Sequence, residues 1–404
     1  MMTLTIAWRN VWRRKGRSIV IICSVIVGLW AGLAVMSFYF GFAEERVRSA
    51  IELEVSHLQI HHPEFKRDRD VRYTIPAGDS IVAVLRVNTQ VQHAAGRLIA
   101  RGMIASATGN SGVQINGIAA LDEDSLTQLR SKVIVGSYFP GTKGNEMLIG
   151  KKLSQKLKVR LGSKLVITTQ DKDRNIASSA FRVAGIFQTK NTPFDETNVF
   201  ARRADVAAML GDSLAVTEIA VLLHSQDSVE SFVRTLKSQY PTLLVESWRT
   251  VAPEMGLIIS VIDQMMYIIM AVVLLALAFG IVNTMLMAVL ERTREIGMLI
   301  ALGMKRRQVF AMIVCETFFL VLIGTPFGML IAWASISYFG SHGIDISAFQ
   351  ETLKSFGYSE IVYTKLAFRH YWQVLILVIL TALLSALLPA RRALRLQPAE
   401  AIRR

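Results

Sequence analysis

The chain has 404 residues, of which 52% are apolar and 19% are charged, and its mean hydropathy is +0.40. This composition is too apolar for a soluble protein of this length. The formal net charge of +14 does not indicate a nucleic-acid-binding face, because the basic residues are split among three short segments beside apolar runs. The sequence therefore predicts a membrane protein that binds no nucleic acid.

Four apolar stretches are long enough to cross a hydrocarbon core of about 30 Å, which takes about 20 helical residues. Lipid offers the backbone no hydrogen-bond partners, so continuous runs of this length are predicted to be helices. The first follows a basic start, as a signal peptide does, but it is longer than a signal's apolar core of about 7 to 15 residues. We expect a retained anchor there. The predicted spans are 18–43, 255–290, 309–339 and 371–390.

Lys and Arg residues cluster in segments 1–17, 291–308 and 391–404. Short loops rich in Lys and Arg lie on the cytoplasmic side. We therefore predict an amphipathic cytoplasmic amino terminus (1–17), a cytoplasmic loop (291–308) and a cytoplasmic tail (391–404). Segments 56–253 and 340–370 are then predicted to lie on the opposite side of the membrane.

The large outer segment, 56–253, mixes two kinds of pattern. Helical spacing occurs in 151–159, 203–210 and 227–240, whereas β-rich runs include RLIARGMIAS, SKLVITTQ, FRVAGIF and TEIAVLLH. Cys23 and Cys315 fall in predicted spans, so the outer segment must fold without a disulfide. The predicted fold class is an α-helical membrane protein with four transmembrane helices and a large α+β extracytoplasmic domain inserted between the first and second helices.

Two helices are predicted to be longer than the membrane is thick. The first span continues into residues 44–55 without Pro or Gly, so we expect a stalk to about residue 55. Segment 254–290 corresponds to about 55 Å of helix, which leaves about 25 Å beyond the core as a second stalk. Asp263 is then expected in the projecting part. The alternative is that a tilt or a break absorbs the extra length.

The loop between the second and third spans, ERTREIGMLIALGMKRRQVF (291–310), is predicted to form an amphipathic helix along the cytoplasmic interface. Ile296, Leu299 and Ile300 share one side, and Gly303 is predicted to end the helix. The alternative is an ordinary basic loop that only fixes topology.

This loop resembles the segment between the second and third spans of FtsX-like ABC transporter permeases, the superfamily of MacB-type exporters and lipoprotein-releasing LolC/LolE-type permeases. Matching stretches run along nearly the whole chain, and the outer ones favour the lipoprotein-releasing branch. They are AWRNVWRRKGRS, VSHLQIHHPEF, MLIGKKLSQKLKVRLGSKLVIT, FRVAGIFQTKNTPFDETNVF and LPARRALRLQPAEAIR.

The resemblance implies a bacterial inner-membrane permease that works as a dimer, either of two copies or with a sister chain. It implies that a cytoplasmic ABC ATPase binds ATP and Mg²⁺, that this chain holds no cofactor, and that stalk helices transmit work to a periplasmic domain. In the lipoprotein-releasing branch, lipoproteins pass to a periplasmic carrier. The residues implied to dock the ATPase as a coupling helix are Glu291, Arg292, Arg294, Glu295, Ile296, Gly297, Leu299, Ala301, Leu302 and Gly303.

Catalysis by the chain itself is not indicated. The nearest approach to a nucleotide-binding P-loop, GNEMLIGKK (144–152), has one residue too many between its glycines and Lys152 where Ser or Thr belongs. His57, His61 and His62 have no Cys or acidic partner at ligand spacing, and alternation on an edge strand explains them better than a metal site. Asp263 and Glu316 lie in no protease-like motif.

Several membrane residues are candidates for helix packing or gating. Glu316 is predicted about 10 Å inside the third span, where a carboxyl is either tolerated near the interface or bonded to another helix. Two Gly-x-x-x-Gly pairs permit close helix contact, either within the chain or between two copies, and a proline inside one pair is expected to kink its helix. These candidates are Gly28, Gly32, Glu316, Gly324, Pro326 and Gly328.

The outer loop QTKNTPFDET (188–197) is the candidate contact with the carrier. The resemblance implies that one lipoprotein-releasing permease hooks the carrier with a protruding outer loop. Pro193, Phe194 and Asp195 would form that hook, with Phe194 as an exposed apolar anchor; the alternative is that Phe194 is buried.

Three functions stay open at this point. The first is release of lipoproteins, and the second is export of a small molecule, peptide or haem by a MacB-type permease. The third is an FtsX-type activator of a cell-wall hydrolase, against which the size of the outer segment counts.

Overall fold

A computed structural model describes residues 2–13, 15–141, 144–212, 216–358 and 360–394, apart from the side chains of residues 2, 3, 254, 258, 259, 263, 351 and 354. The α-helices are α1 (Met2–Arg13), α2 (Lys15–Ala50), α3 (Phe65–Asp68), α4 (Gly78–Val87), α5 (Ala120–Thr127), α6 (Lys151–Lys156), α7 (Thr192–Thr197), α8 (Arg203–Leu210), α9 (Val229–Gln239), α10 (Trp248–Val251), α11 (Pro253–Glu291), α12 (Thr293–Ala301), α13 (Arg306–His342), α14 (Gln350–Ser355) and α15 (Phe368–Leu394). A π-helical turn, Ile51–Val55, extends α2, and short 3₁₀ turns cover Leu129–Lys132, Gln226–Ser228 and Ser347–Phe349.

The strands are β1 (Leu58–His61), β2 (Val91–Ala105), β3 (Asn110–Ile118), β4 (Val133–Gly136), β5 (Glu146–Gly150), β6 (Lys164–Gln170), β7 (Ile176–Phe187), β8 (Asn198–Arg202), β9 (Glu218–Leu223), β10 (Leu244–Ser247), β11 (Ile344–Asp345) and β12 (Ile361–Val362). The chain forms two compact units. The membrane unit comprises Met1–Ala43, Ile259–Asp345 and Ile361–Arg404, and the outer unit comprises Glu44–Ile258 and Ile346–Glu360.

The membrane unit contains the four predicted transmembrane helices. Helices α2, α11, α13 and α15 are each apolar and long enough to span a membrane. Helix α2 with its π-helical extension has 41 residues, α11 has 37 from Met255 onward, and α13 has 37, so each is longer than the roughly 20 residues that a bilayer core requires. Every fourth residue of α2 from Ile21 to Leu33 is buried, because that stripe packs on neighbouring helices while the remaining apolar side chains suit lipid.

The outer unit is α+β, and its centre is a closed ring of strands. The ring runs β2, β3, β8, β5, β7, β6 and back to β2. Side chains alternate along a strand, so one face of each strand fills the interior. That interior is an apolar cluster that includes Leu98, Ile115, Ile149, Ile167 and Phe181.

A second sheet shares the long strand β2. Residues 91–97 of β2 pair with β9, which pairs with β1, and β1 pairs with β10. Strand β1 is therefore internal, so the prediction of an edge strand is wrong for His61, and His57 and His62 lie just outside the strand. The His61 side chain is buried, and its Nε2 lies 3.0 Å from Gln59 Oε1. In the part of the chain that the structure describes, no cluster of three or more His, Cys, Asp or Glu residues could hold a metal ion.

Other local predictions need adjustment. The predicted helix at 151–159 ends at Lys156, since the chain turns into a loop that precedes β6. The stretch 68–80 contains the last residue of α3 and the first turn of α4. The outer segment 340–370 also has its own structure, with the β11–β12 hairpin and α14.

Candidate functional site

The loop between the second and third spans contains a short helix with defined ends. Helix α11 ends at Glu291, α12 covers Thr293–Ala301, and α13 begins at Arg306. Gly303 has φ +98°, a conformation that side chains rarely adopt. Its amide donates to Ile300 O at 3.0 Å, and the next amide donates to Leu299 O at 3.0 Å. This turn satisfies the last carbonyls of α12 and reverses the chain into α13.

Helix α12 has one buried face and one exposed face. Ile296 is 3% exposed and packs in the core of the membrane unit. Gly297 is also buried, and Leu299 is partly buried. The opposite face exposes apolar side chains: Met298 is 48% exposed and Leu302, just past the end of the helix, is 85% exposed. Arg294, Ala301 and Gly303 are exposed beside them.

A buried ion pair joins the start of α12 to the third span. Arg292 Nη1 donates to Glu316 Oε1 at 3.0 Å and to Oε2 at 3.2 Å. The two side chains are only 8% and 10% exposed. Charges inside a membrane helix are costly unless they are paired, and the pairing explains how Glu316 is accommodated. Glu316 thus makes a contact that fixes α12 against α13.

The amino-terminal helix α1 holds α12 from a second side. Arg13 donates to Glu295, and Arg17, at the start of α2, donates to Glu291. The backbone carbonyl of Asn10 accepts from Arg292 Nη2 at 3.5 Å. In addition, the Trp8 ring packs edge-on against Phe319 of α13 with centroids 5.3 Å apart. Helices α1, α12 and α13 are therefore tied together by charged and aromatic contacts.

A cavity of about 450 Å³ lies among these helices. Its walls are mostly apolar, and Arg292 and Glu316 line it. Arg292 Nε is buried and makes no hydrogen bond with any residue that the structure describes. The cavity therefore borders α12 as well as the Arg292–Glu316 pair.

The glycine pairs of the spans pack helices of one chain. A β-carbon on Gly28 would lie 3.4 Å from Leu277 of α11, and one on Gly32 would lie 3.7 Å from Met270 of α11. A β-carbon on Gly324 would lie 3.2 Å from Val25, and one on Gly328 would lie 3.0 Å from Leu29, both of α2.

Helix α2 therefore contacts α11 through its own glycines and α13 through the glycines of α13. These glycines face helices of the same chain, and a contact between two copies through them stays a prediction. Helix α13 continues through Pro326 as a single element, and a kink at Pro326 stays a prediction.

The candidate carrier hook is folded inward. Pro193, Phe194 and Asp195 lie in the short helix α7. Phe194 is 9% exposed and its ring lies 6.4 Å from that of Phe187 and 6.2 Å from that of Phe200. The expectation that Phe194 is an exposed anchor is therefore wrong, because an aromatic cluster of the outer unit buries it. A role for the loop in holding a carrier stays a prediction without that anchor.

Sequence reasoning missed several residues of this site. Asn10, Arg13 and Arg17 lie about 275 or more positions from their partners, so no local pattern reveals the pairing. A signal for Glu316 existed, because a carboxyl inside a span demands a partner and Arg292 is a basic residue on the neighbouring loop. Met298 could have been found from its spacing four residues before Leu302 on one helix face. The side chain of Asp263 and residues 395–404 lie outside the described residues.

The chain has four candidate spans, a large α+β domain inserted after the first span and an amphipathic helix between the second and third. This architecture is that of an ABC transporter permease subunit. Family profiles agree with this architecture. The MacB-like periplasmic core domain matches residues 18–239, more than half of the chain, and the FtsX-like permease C-terminal region matches residues 267–398. The chain belongs to the FtsX-like permease family with a MacB-like periplasmic core domain.

Two of the relatives are named for different activities. The chain is 22% identical over 402 residues to the lipoprotein-releasing system transmembrane protein LolC of Neisseria meningitidis, which covers 96% of this chain and 94% of the relative. It is 32% identical over 125 residues to the macrolide export ATP-binding/permease protein MacB of Hahella chejuensis, covering 31% of this chain and 17% of that one. Among solved structures, the periplasmic region of MacB from Actinobacillus actinomycetemcomitans is 13% identical with a TM-score of 0.36, over 52% of this chain and 97% of that one.

Proposed function

We propose that this chain is the permease subunit of an inner-membrane ABC transporter that extracts lipoproteins for handover to a periplasmic carrier. The observation that carries the proposal is the exposed apolar tip of α12 joined to the third span by the buried Arg292–Glu316 pair. The tip provides a docking surface for an ATPase, and the ion pair provides a rigid connection from that surface to a membrane helix.

The docking surface has the chemistry of a protein interface. Leu302 and Met298 form a small exposed apolar patch, and exposed Arg294, Lys305 and Arg306 surround it with positive charge. Apolar anchors at the centre of a charged rim are typical of binding hot spots. The partner surface is therefore expected to be an apolar groove with acidic residues at its edge. ATP and Mg²⁺ would be bound by that partner.

Helix length supports the proposal that movement is transmitted to the outer unit. Helix α2 and its π-helical extension form a 41-residue rod that continues from the membrane span into the outer unit. Such a rod is about 60 Å long, roughly twice the thickness of the hydrocarbon core. Movement of α12 would reach α2 through α1 and through α13, which packs on α2. The working assembly would contain a second permease, either a copy or a sister chain.

The lipoprotein substrate is supported by the relative named for lipoprotein release, which spans 96% of this chain. A MacB-type exporter of small molecules, peptides or haem is the second candidate, supported by the higher identity to MacB over 125 residues. The proposed orientation places both termini and α12 in the cytoplasm and the outer unit in the periplasm, in accord with the basic flanking segments.

Affinity purification from native membranes in mild detergent tests this proposal. Mass spectrometry of the bound material should find an ABC ATPase and acylated lipoproteins. A Leu302→Asp variant should lose the ATPase, because burying a carboxylate in an apolar groove is costly, while a Leu322→Asn variant on the exposed face of α13 should keep it. An ATPase without lipoproteins would favour the exporter, and the absence of any ATPase from the unaltered chain would refute the permease proposal.

A further inference from the structure

The loop 188–197 is fixed internally rather than protruding. The Asp195 carboxylate accepts from the Thr189 amide at 3.0 and 3.1 Å and from Thr189 Oγ1 at 2.7 Å. Asn191 Oδ1 accepts from the Phe194 amide at 3.3 Å and caps α7. These bonds bury Thr189, Asn191 and Asp195 together. The loop therefore has the rigidity of a structural element.

This rigid loop is bonded to the outer end of the first long helix. Lys190 Nζ donates to Glu45 Oε1 at 2.7 Å, and Asn191 Nδ2 donates to Glu54 Oε1 at 2.6 Å. Glu45 lies on α2, and Glu54 lies on the π-helical turn that extends α2. Two contacts about two turns apart on the same rod fix both its position and its rotation against the loop.

The second outer loop joins the same place. Residues 346–360 belong to the outer unit, and Gly357 has φ +77°. A β-carbon on Gly357 would lie 3.1 Å from Arg46 Cζ and 3.2 Å from Asn191 Cγ. Only glycine suits this backbone conformation and this closeness. Loop 346–360 therefore covers Arg46 directly.

Arg46 lies at the centre of these three elements and is poorly paired. The residue is 6% exposed, and its nearest carboxylate oxygen is Glu54 Oε1, 3.5 Å from Nη1. Within the described part of the chain, Arg46 Nε and Nη1 and the buried Ser49 Oγ have no hydrogen-bond partner. A cavity of about 350 Å³ beside Ser49 is also lined by Glu45 and Lys190. Buried polar groups are normally paired, and those left unpaired require an explanation.

We propose that Arg46 is the positioning residue of a two-state joint between α2, loop 188–197 and loop 346–360. In the second state, α2 turns into the neighbouring cavity and the hydrogen bond from Asn191 to Glu54 breaks. The released Glu54 carboxylate then accepts directly from the Arg46 guanidinium, from which it is 3.5 Å away in this structure. This inference rests on the proposed function, because the ATPase would drive the change. Arg46 lies on α2, which contains the first span, and loop 346–360 is connected to α13 and α15. Movements of α2, α13 and α15 would therefore meet at this joint.

The experiment uses the full chain with its ATPase in a background without Cys23 and Cys315. Glu45→Cys and Lys190→Cys provide a reporter pair whose rate of disulfide formation is measured without nucleotide and after trapping with ATP and vanadate. The rate should differ by about fivefold or more between the two states, the lower end of typical coupling between sites. Arg46→Gln should remove this difference while basal ATPase activity is kept, and Arg46→Lys should restore part of it.

Arg48→Gln is the matched control, because Arg48 is two residues away, is 71% exposed, and pairs with Glu52 on the surface. It should leave the difference intact. Equal disulfide rates in both nucleotide states, or an Arg46→Gln protein that keeps the difference, would overturn the joint.

A second measurement does not depend on the ATPase. In the chain alone, Arg46→Gln should raise hydrogen exchange in 346–360 and in 188–191, whereas Arg48→Gln should not. Unchanged exchange in Arg46→Gln would refute the joint. Failure of the unaltered chain to bind an ATPase would instead refute the proposed function, so the two failures are distinguishable.

Discussion

The Arg292–Glu316 pair gives the sharpest energetic prediction. Three variants define a double-mutant cycle: Glu316→Leu, Arg292→Met, and these two substitutions combined. The first variant leaves a buried guanidinium without its carboxylate, and the second leaves a buried carboxyl without its cation. The double variant removes both charges and fills the space with apolar side chains of similar size.

The magnitude follows from the geometry. At an effective dielectric constant of about 20, two charges 3.0 Å apart attract by about 5 to 6 kcal/mol. Desolvation of both ions offsets most of this attraction, so the intact pair contributes little net stability. Removing one partner is different, and each single variant should lower the free energy of unfolding by about 3 to 5 kcal/mol. The free energy of unfolding should fall less in the double variant than in either single variant.

Reversible unfolding in mixed micelles of dodecyl maltoside and dodecyl sulfate measures these free energies, with circular dichroism as the signal. The exposed pair Arg48–Glu52 is the comparison, since its side chains are 71% and 50% exposed and its loss should cost at most about 1 kcal/mol. Additive losses in the Arg292/Glu316 cycle would refute the reasoning, because they would mean that the two side chains do not interact.

The other predictions concern packing and pH. Phe194→Ala should destabilise the outer unit by about 3 to 5 kcal/mol, measured by unfolding of the full chain; unchanged stability with lost carrier binding would instead favour an exposed hook. Gly328→Ala should be less stable than Gly256→Ala, because a β-carbon meets Leu29 at Gly328 and nothing within 4 Å at Gly256; equal melting temperatures of the two variants would contradict the close contact. Burial lowers the pKa of His57 below 6.5, and its Nδ1 accepts from the Leu223 amide at 2.9 Å. As the pH falls, His57 is therefore protonated at a higher pH in the unfolded chain than in the folded chain. Hydrogen-exchange protection of the Leu223 amide should be full above pH 6.5 and fall as the pH drops through the lower folded pKa, and constant protection from pH 8 to 5 would contradict this.

The four spans and the helix between the second and third could be predicted because they depend on local signals. Apolar length predicts a membrane helix, and the spacing of Ile296, Leu299 and Ile300 predicts which side of α12 is buried. Gly303 predicts the turn after α12, because glycine readily adopts a positive φ. Each of these features is encoded within about 20 consecutive residues.

The features that sequence reasoning missed depend on contacts between distant segments. Phe194 follows a loop-like sequence, but its burial is decided by Phe187 and Phe200 on two strands. The alternating pattern around His61 suggests an edge strand, but the strand order of the folded sheet places β1 between β9 and β10. The partners of Arg13 and Arg17 likewise depend on how α1 and α2 meet the end of α11. Such pairings require the tertiary arrangement.

The central claim is that the exposed tip of α12 binds a cytoplasmic ATPase, and site-specific photocrosslinking tests it most directly. A photoreactive phenylalanine at Leu302, 85% exposed, is compared in intact cells with one at Leu322, 53% exposed on the third span. The account predicts a crosslink from position 302 to an ABC ATPase and none from position 322. Absence of an ATPase crosslink at position 302, with the protein expressed and folded, would contradict it.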